Sequence, residues 1–331
     1  MKYMTIGENK MEVKLFDTQT NKPSIFQSGY IEGCKLIGAD KFGEKGRYGE
    51  GVKVAVIDTG CDISHPDLKD RIIDVRNFTD DDKGAINNVT DYVGHGTHCC
   101  GIIGANGKIT GVAPKVSLVV LKALTRTGGK VAWVTEAIKY AISQNVDIIS
   151  MSLGTSQSSP EMYEAIKRAI DKNIIVVVAS GNNGDNNPNT NELNYPASFN
   201  ECVSVGSVKY SKTSSRFSAS NNEVDLCAFG EGYNGRGVLS TYPNNLYKEM
   251  KGTSMACPFI SGALALIKNW FRDEFKREPT ESELYAQLIK RTMDLNLSKN
   301  VQGNGMLYLP LEDITDKLVF NEKLINEILG L

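Results

Sequence analysis

No run of apolar residues in this chain is long enough to span a bilayer, which takes about 20. Met1 to Thr20 alternates polar and apolar side chains and lacks the apolar core of a signal peptide, so export by the usual route is not expected. Charge of one sign is missing as well: 37 basic against 39 acidic residues leave a net charge of −2 and a pI near 6.0. Such a balance supplies no field for phosphate backbones or anionic lipid, so neither nucleic acid nor membrane is an expected partner. Seven cysteines, at positions 34, 61, 99, 100, 202, 227 and 257, form an odd set with neither zinc-ligand nor disulfide-framework spacing. Reduced thiols and a cytoplasmic location follow as the simplest expectation. Histidine is scarce, with 3 in 331 residues, which narrows any search for a catalytic base.

What is there suits one large domain with extensions, since a chain of this length that is 41% hydrophobic can bury a sizeable core. Short runs rich in β-branched residues recur from Val52 onward: Val52 to Ile57, Leu118 to Leu121, Val146 to Met151, Ile174 to Ala179 and Val203 to Val208. Between them Val134, Ile138, Ala141 and Ile142 stand at helical spacing, and so do Met162, Ala165, Ile166 and Ile170. This alternation predicts an α/β fold with a largely parallel sheet covered on both faces. Gly181 to Asn194, dense in Asn and Gly, reads as a surface loop. The chain divides into an N-terminal extension (1–26), a main domain (27–309) and a helical tail (310–331) carrying Ile314, Leu318, Ile325, Ile328 and Leu329. That tail either packs on its own domain or faces a partner.

Three short motifs carry chemistry. Asp58-Thr59-Gly60 follows a buried strand, at the carboxyl end where parallel sheets place their sites. His95-Gly96-Thr97-His98 opens a segment predicted helical to Gly104, and Gly252-Thr253-Ser254-Met255-Ala256 opens another. A serine hydroxyl needs a base within hydrogen-bond reach, and the base needs a third group to fix its tautomer. Ser254, His95 and Asp58 supply those three roles, and a helix start favours the negative charge that develops during attack. His98, one turn on, reads as a buried structural histidine, and His65, before Pro66, as a turn residue.

The order Asp, His, Ser is the subtilisin order. Together with Asp58-Thr59-Gly60-Cys61, His65-Pro66-Asp67-Leu68, Tyr195-Pro196-Ala197 and Leu284-Tyr285-Ala286-Gln287, it makes residues 27–309 resemble the subtilisin-like serine proteases, peptidase family S8. Within that family the chain looks like the intracellular subtilisins of Gram-positive bacteria. The resemblance implies a three-layer α/β/α fold and a cytoplasmic serine endopeptidase acting through an acyl-enzyme in protein turnover. It also implies a homodimer, and latency imposed by a short N-terminal extension. By the same match Asn182 stands in the oxyanion hole with Thr253 in support. Substrate would add as a strand between Thr127-Gly128-Gly129 and Ser152-Leu153-Gly154. A side-chain pocket would be walled by Ala179-Ser180-Gly181, with Asn194 where relatives carry a small residue. No carboxylate there would attract a basic side chain, so an apolar or medium-sized residue is expected before the cut. Two other readings stay open: a processing protease for one peptide precursor, and a non-catalytic peptide-binding or scaffold protein on the same fold.

The chemistry calls for no cofactor, whereas the family implies structural calcium. Here the segment from His98 to Gly111 is shorter than in typical relatives, which should weaken that site. Asp67, matched to one calcium ligand, is then expected to be a surface acid, and Asp225 is a second weak metal candidate. The leader lacks the Leu-Ile-Pro-Tyr run that blocks the cleft in intracellular relatives. Lys14-Leu15-Phe16-Asp17 could occupy the cleft instead, or the leader could be a plain arm. Cys99 and Cys100 replace the usual Val-Ala, Phe259 replaces a histidine, and Cys61, Cys99 and Cys257 lie near the three motif residues in sequence, where thiol modification could inactivate the protein. The default for each is a small core hydrophobe.

Overall fold

The computed structural model describes residues 11–15, 19–20 and 28–311. Phe16, Asp17 and nearly all of the proposed tail helix lie outside the described residues. A nine-stranded sheet runs through the molecule. From one edge its strands are Thr292–Met293, Met306–Leu307, Leu226–Glu231, Cys202–Lys209, Ile175–Ala179, Ile148–Met151, Lys53–Asp58, Ser117–Lys122 and Ile72–Asn77. Neighbours pair in parallel except for the antiparallel edge pair Thr292–Met293 and Met306–Leu307. All five strands expected from β-branched runs are present, shifted by a residue or two at their ends. Ile72–Asn77 and Leu226–Glu231 were not expected.

Two apolar clusters form on the two faces of this sheet, and side-chain alternation decides which residue joins which. Val54, Val56, Leu118, Val120, Ile148, Ile175 and Val177 pack with the helices His95–Gly104 and Thr253–Phe275. Ala55, Ile57, Val119, Leu121, Ile149, Val176 and Val178 pack with Val131–Ser143 and Pro160–Ile170. Covering both faces is why these strands read as unbroken hydrophobic runs, each large side chain contributing about 1.5–3 kcal/mol on burial. The result is a three-layer α/β/α architecture.

The helix Thr253–Phe275 runs through the core and contains Pro258. Proline has no N–H, so the carbonyl of residue 254, four positions earlier, loses its helical partner. The hydroxyl of Ser152, which directly follows the strand Ile148–Met151, donates to that carbonyl at 2.8 Å. The sequence thereby fixes the helix start against the carboxyl edge of the sheet.

Candidate active site

Asp58 ends its strand, and its Oδ1 accepts from the Thr59 backbone N–H at 2.7 Å and from His95 Nδ1 at 2.7 Å. His95 is the first residue of its helix. Its backbone comes close to two others through the glycines on either side. A Cβ on Gly94, which also has φ +90°, would lie 2.1 Å from the Tyr242 ring, and one on Gly96 would lie 2.1 Å from the Gly60 carbonyl oxygen. Both His95 and Asp58 are almost wholly buried. Burial pushes the His95 imidazole down, but the Asp58 charge, the hydrogen bond to it and the Asp91 charge outweigh burial and hold it above the ordinary histidine value. Since Asp58 accepts at Nδ1, the hydrogen-bond network assigns the proton there and leaves Nε2 as the basic nitrogen. Nε2 is buried with no hydrogen-bond partner among the described residues.

Ser254 is the second residue of its helix, where backbone N–H groups have no intrahelical acceptor. Its Oγ donates to the Ser152 carbonyl at 3.2 Å. The structure thus joins Asp58 to His95, while the Ser254 hydroxyl donates to Ser152. Cys99 spans the gap, with Sγ 3.9 Å from His95 Nδ1 and 3.6 Å from the Ser254 carbonyl oxygen. Burial pushes its thiol well above the ordinary cysteine range, and all seven cysteines are buried and free.

Asn182, just beyond the strand Ile175–Ala179, accepts at Oδ1 from the Thr253 N–H at 2.8 Å and the Thr253 hydroxyl at 2.9 Å. Two donors on one oxygen fix which way the carboxamide faces. Thr253 Oγ1 also accepts from the Gly181 N–H at 3.3 Å. Asn182, Gly181 and the residue before Ser254 therefore form one unit.

The two predicted binding edges are already paired. Glu12–Leu15 lies antiparallel between them, with Glu12 opposite Lys130, Val13 opposite Gly129, Lys14 opposite Gly154 and Leu15 opposite Leu153. Val13 is fully buried in the apolar cluster that contains Leu124, Val131 and Leu153. Gln19–Thr20 pairs with the strand Leu246–Lys251, immediately before Gly252. Of the segment Lys14-Leu15-Phe16-Asp17 expected either in the cleft or in a plain arm, Lys14 and Leu15 belong to this strand, and Phe16 and Asp17 lie outside the described residues. A Cβ on Gly128 would lie 2.6 Å from the Val13 carbonyl oxygen and Gly129 pairs with Val13, whereas Thr127 bonds back to Thr125 within its own loop. Along the pocket wall, Asn194 Nδ2 donates to the Ser180 carbonyl at 3.0 Å and to Asn183 Oδ1 at 2.8 Å. A Cβ on Gly181 would sit 2.2 Å from that nitrogen, so the Asn194 carboxamide fills the space beside Gly181. Ala179 lies at the buried end of the strand behind it.

Neither metal candidate suits a cation. Asp67 is only 3% exposed, which corrects the expectation of a surface acid. Its carboxylate accepts from the Lys108 and Ile109 N–H groups at 2.9 and 3.0 Å and from the Tyr247 hydroxyl at 3.0 Å. The turn Asn106–Ile109 and Tyr247 present the positive ends of their dipoles where calcium would need oxygens. Asp225 accepts from the Ser204 N–H at 2.8 Å and the Tyr285 hydroxyl at 2.6 Å, and burial raises its carboxyl above the usual range. His65 lies among turns as expected, its N–H on the Asp62 carbonyl at 3.1 Å, and it is fully buried, with its ring bonded to the Leu246 carbonyl at 3.2 Å.

Two residues around the motifs, Lys122 and Asp91, were not singled out from sequence, and Ser152, expected only as part of a binding edge, also holds both the carbonyl and the hydroxyl of Ser254. Lys122, 1% exposed, donates to the Thr59 and Thr90 carbonyls at 3.0 and 2.9 Å and pairs with Asp81 at 3.0 Å. Asp91 collects five hydrogen bonds beneath His95. The only signal for Asp91 was its place four residues before His95.

Residues 49–305 match the model of the subtilase family, Peptidase S8. The chain is 48% identical over 307 residues to the major intracellular serine protease of Bacillus subtilis (strain 168), covering 91% of this chain and 95% of that one. It is 52% identical over 266 residues to the intracellular serine protease of Paenibacillus polymyxa, covering 79% and 80%. Subtilisin DY of Bacillus licheniformis is 38% identical over 239 residues, covering 71% and 83%.

Proposed function

The chain belongs to the subtilase family and is a serine-type endopeptidase, and from that premise we propose that it works inside the cell in protein turnover, with its own N-terminal strand blocking its cleft. The observation that carries the chemistry is the buried 2.7 Å contact between Asp58 and His95 at a helix start beside Ser254. In the proposed reaction Ser254 Oγ, rotated off Ser152, attacks the substrate carbonyl as His95 Nε2 takes its proton. Asp58 holds the imidazole in orientation and stabilises its charge. The Ser254 N–H and the Asn182 side chain, anchored through Thr253, stabilise the oxyanion. His95 returns the proton to the departing amine, and water then hydrolyses the acyl-enzyme by the same route in reverse. Losing the Asn182 donor should cost about 10²–10³ in turnover, the usual magnitude for an oxyanion donor.

Strand addition reads main chain and tolerates many sequences, which suits turnover. Pairing of Glu12–Leu15 with both edges supports a leader that competes with substrate. The Asn194 carboxamide supports a pocket of reduced depth and therefore a small or medium apolar residue before the cut, and a cleavage profile dominated by Arg or Lys would refute it. An intracellular site of action is supported by the names of the two relatives above, and no helix among the described residues is long and apolar enough to cross a membrane. A homodimer is proposed on the family resemblance alone.

One experiment tests the reading: the full chain, a version lacking residues 1–26, and Ser254→Ala are each treated with a fluorophosphonate probe and with casein. Labelling that depends on Ser254 and rises at least about tenfold without the leader is expected. Equal activity with and without the leader removes latency, labelling without casein cleavage favours a narrow processing enzyme, and absence of labelling in both forms defeats the catalytic reading.

A further inference from the structure

Asp91 is a second buried carboxylate beneath the Asp58–His95 pair, and every one of its partners is a donor. Oδ1 accepts from the Thr59 hydroxyl at 2.8 Å and from the Val93 and Gly94 N–H groups at 3.1 and 2.8 Å. Oδ2 accepts from the Thr97 N–H at 2.9 Å and the Thr97 hydroxyl at 2.7 Å. These donors come from the residue after Asp58 and from residues on both sides of His95. Thr59 Oγ1, having donated to Asp91, accepts from the Gly96 N–H at 2.9 Å, and the Thr59 N–H donates to Asp58 itself. The helix cap at Gly94 has no side chain of its own, and Asp91 supplies the missing acceptor from three residues upstream.

We propose that Asp91 is a positioning residue for the proton relay, fixing through Thr59 and the helix start the distance and angle at which Asp58 meets His95. The inference rests on the triad reading given above. A carboxylate is the only side chain of this size that can face five donors, because an amide would turn its NH2 toward N–H and O–H groups and lose their bonds. Asp91 also places negative charge near the imidazole without touching substrate. The titratable groups facing His95 are Asp58, Asp91, Cys99 and His98. Burial keeps the Cys99 thiol protonated and pushes His98 down to about 3, so neither changes charge between pH 5 and 9.

The test is the rate of Ser254 labelling by the fluorophosphonate against pH, for the full-length wild type, Asp91→Asn, Thr59→Val and Thr59→Ser, with Asp67→Asn as a control for loss of a distant buried carboxylate. Asp91→Asn should label about 10- to 100-fold more slowly, a cost typical of a misplaced catalytic group, and its pH midpoint should fall below the wild-type one. Thr59→Val, which keeps both charges, should slow labelling without moving the midpoint, and Thr59→Ser should restore the rate. Asp67→Asn should leave the midpoint where it is. Wild-type labelling with an unmoved midpoint in Asp91→Asn overturns the proposal, and if that variant does not fold, wild-type rates in Thr59→Val do so. Failure of the wild type to label both with and without residues 1–26 strikes the triad reading instead.

Discussion

The helix His95–Gly104 is buried along its whole length and is gripped at both ends by a buried aspartate. At its start Asp91 accepts five hydrogen bonds; beyond its end Asp67 accepts three, and its main-chain carbonyl takes the Asn106 N–H at 2.8 Å. The physics is the same: a carboxylate surrounded by N–H and O–H dipoles organises a turn that would otherwise leave donors unsatisfied. The partners differ. Those of Asp91 flank Asp58 and His95, whereas those of Asp67 belong to the turn Asn106–Ile109 and to Tyr247, away from the reacting groups. One device therefore serves position and the other stability, and only paired measurements of rate and melting separate them.

The largest expected effect at the stability end is that of Asp67→Ala, which strands the Lys108 and Ile109 N–H groups and the Tyr247 hydroxyl. It should cost about 3–5 kcal/mol and lower Tm by about 10 °C, with labelling of Ser254 at 20 °C within about threefold of wild type. A large rate loss at unchanged Tm would erase the contrast between the two ends. Midway along the same helix, His98 Nε2 donates to the Val238 and Lys248 carbonyls at 3.0 and 3.1 Å, and burial pushes the ring from 6.5 to about 3. The folded state therefore binds fewer protons than the unfolded one between these values. Its contribution is complete above about pH 6.5 and is lost as pH falls toward 3, on the order of 5 kcal/mol in all. Urea midpoints at pH 7 and 4.5 should show this slope in wild type and a reduced one in His98→Gln.

Much of this was legible in the sequence, for reasons specific to each part. Lys53–Asp58 and Ile175–Ala179 announce themselves because both faces are covered, so nearly every side chain is apolar. Ile72–Asn77 does not, because it is an edge strand with Ile73 half exposed and Asp74 and Arg76 beside it. Leu226–Glu231 is fully buried but has Cys, Ala, Gly and Glu at four of its six positions, which carry little strand signal. The motif residues were readable because the chemistry demands fixed residue types next to glycine. Asp91 was not, since its importance lies in donors drawn from two separate segments that only the fold brings together. Asp67 was misread for the complementary reason: a loop read as shortened suggests a vacated acid at the surface, while in the fold the Lys108 and Ile109 N–H groups and the Tyr247 hydroxyl enclose the carboxylate.

The smallest expected effect is the sharpest discriminator at that end. If hydrogen bonding alone satisfies Asp67, adding millimolar calcium or EDTA should shift Tm by less than about 2 °C, since no differential binding to the folded state means no stabilisation. Tyr247→Phe, which removes one of the three donors and leaves the acid one bond poorer, should lower Tm by about 3 °C, equivalent to about 1 kcal/mol. The variant also makes the calcium measurement decisive. Freed of the Tyr247 hydroxyl, Asp67 gains an accessible oxygen, yet the Lys108 and Ile109 N–H groups still face it, so calcium should not restore the lost stability. A calcium-dependent rise in Tm in wild type, abolished by Asp67→Ala, would show instead that the Asp67 cluster opens to admit the ion.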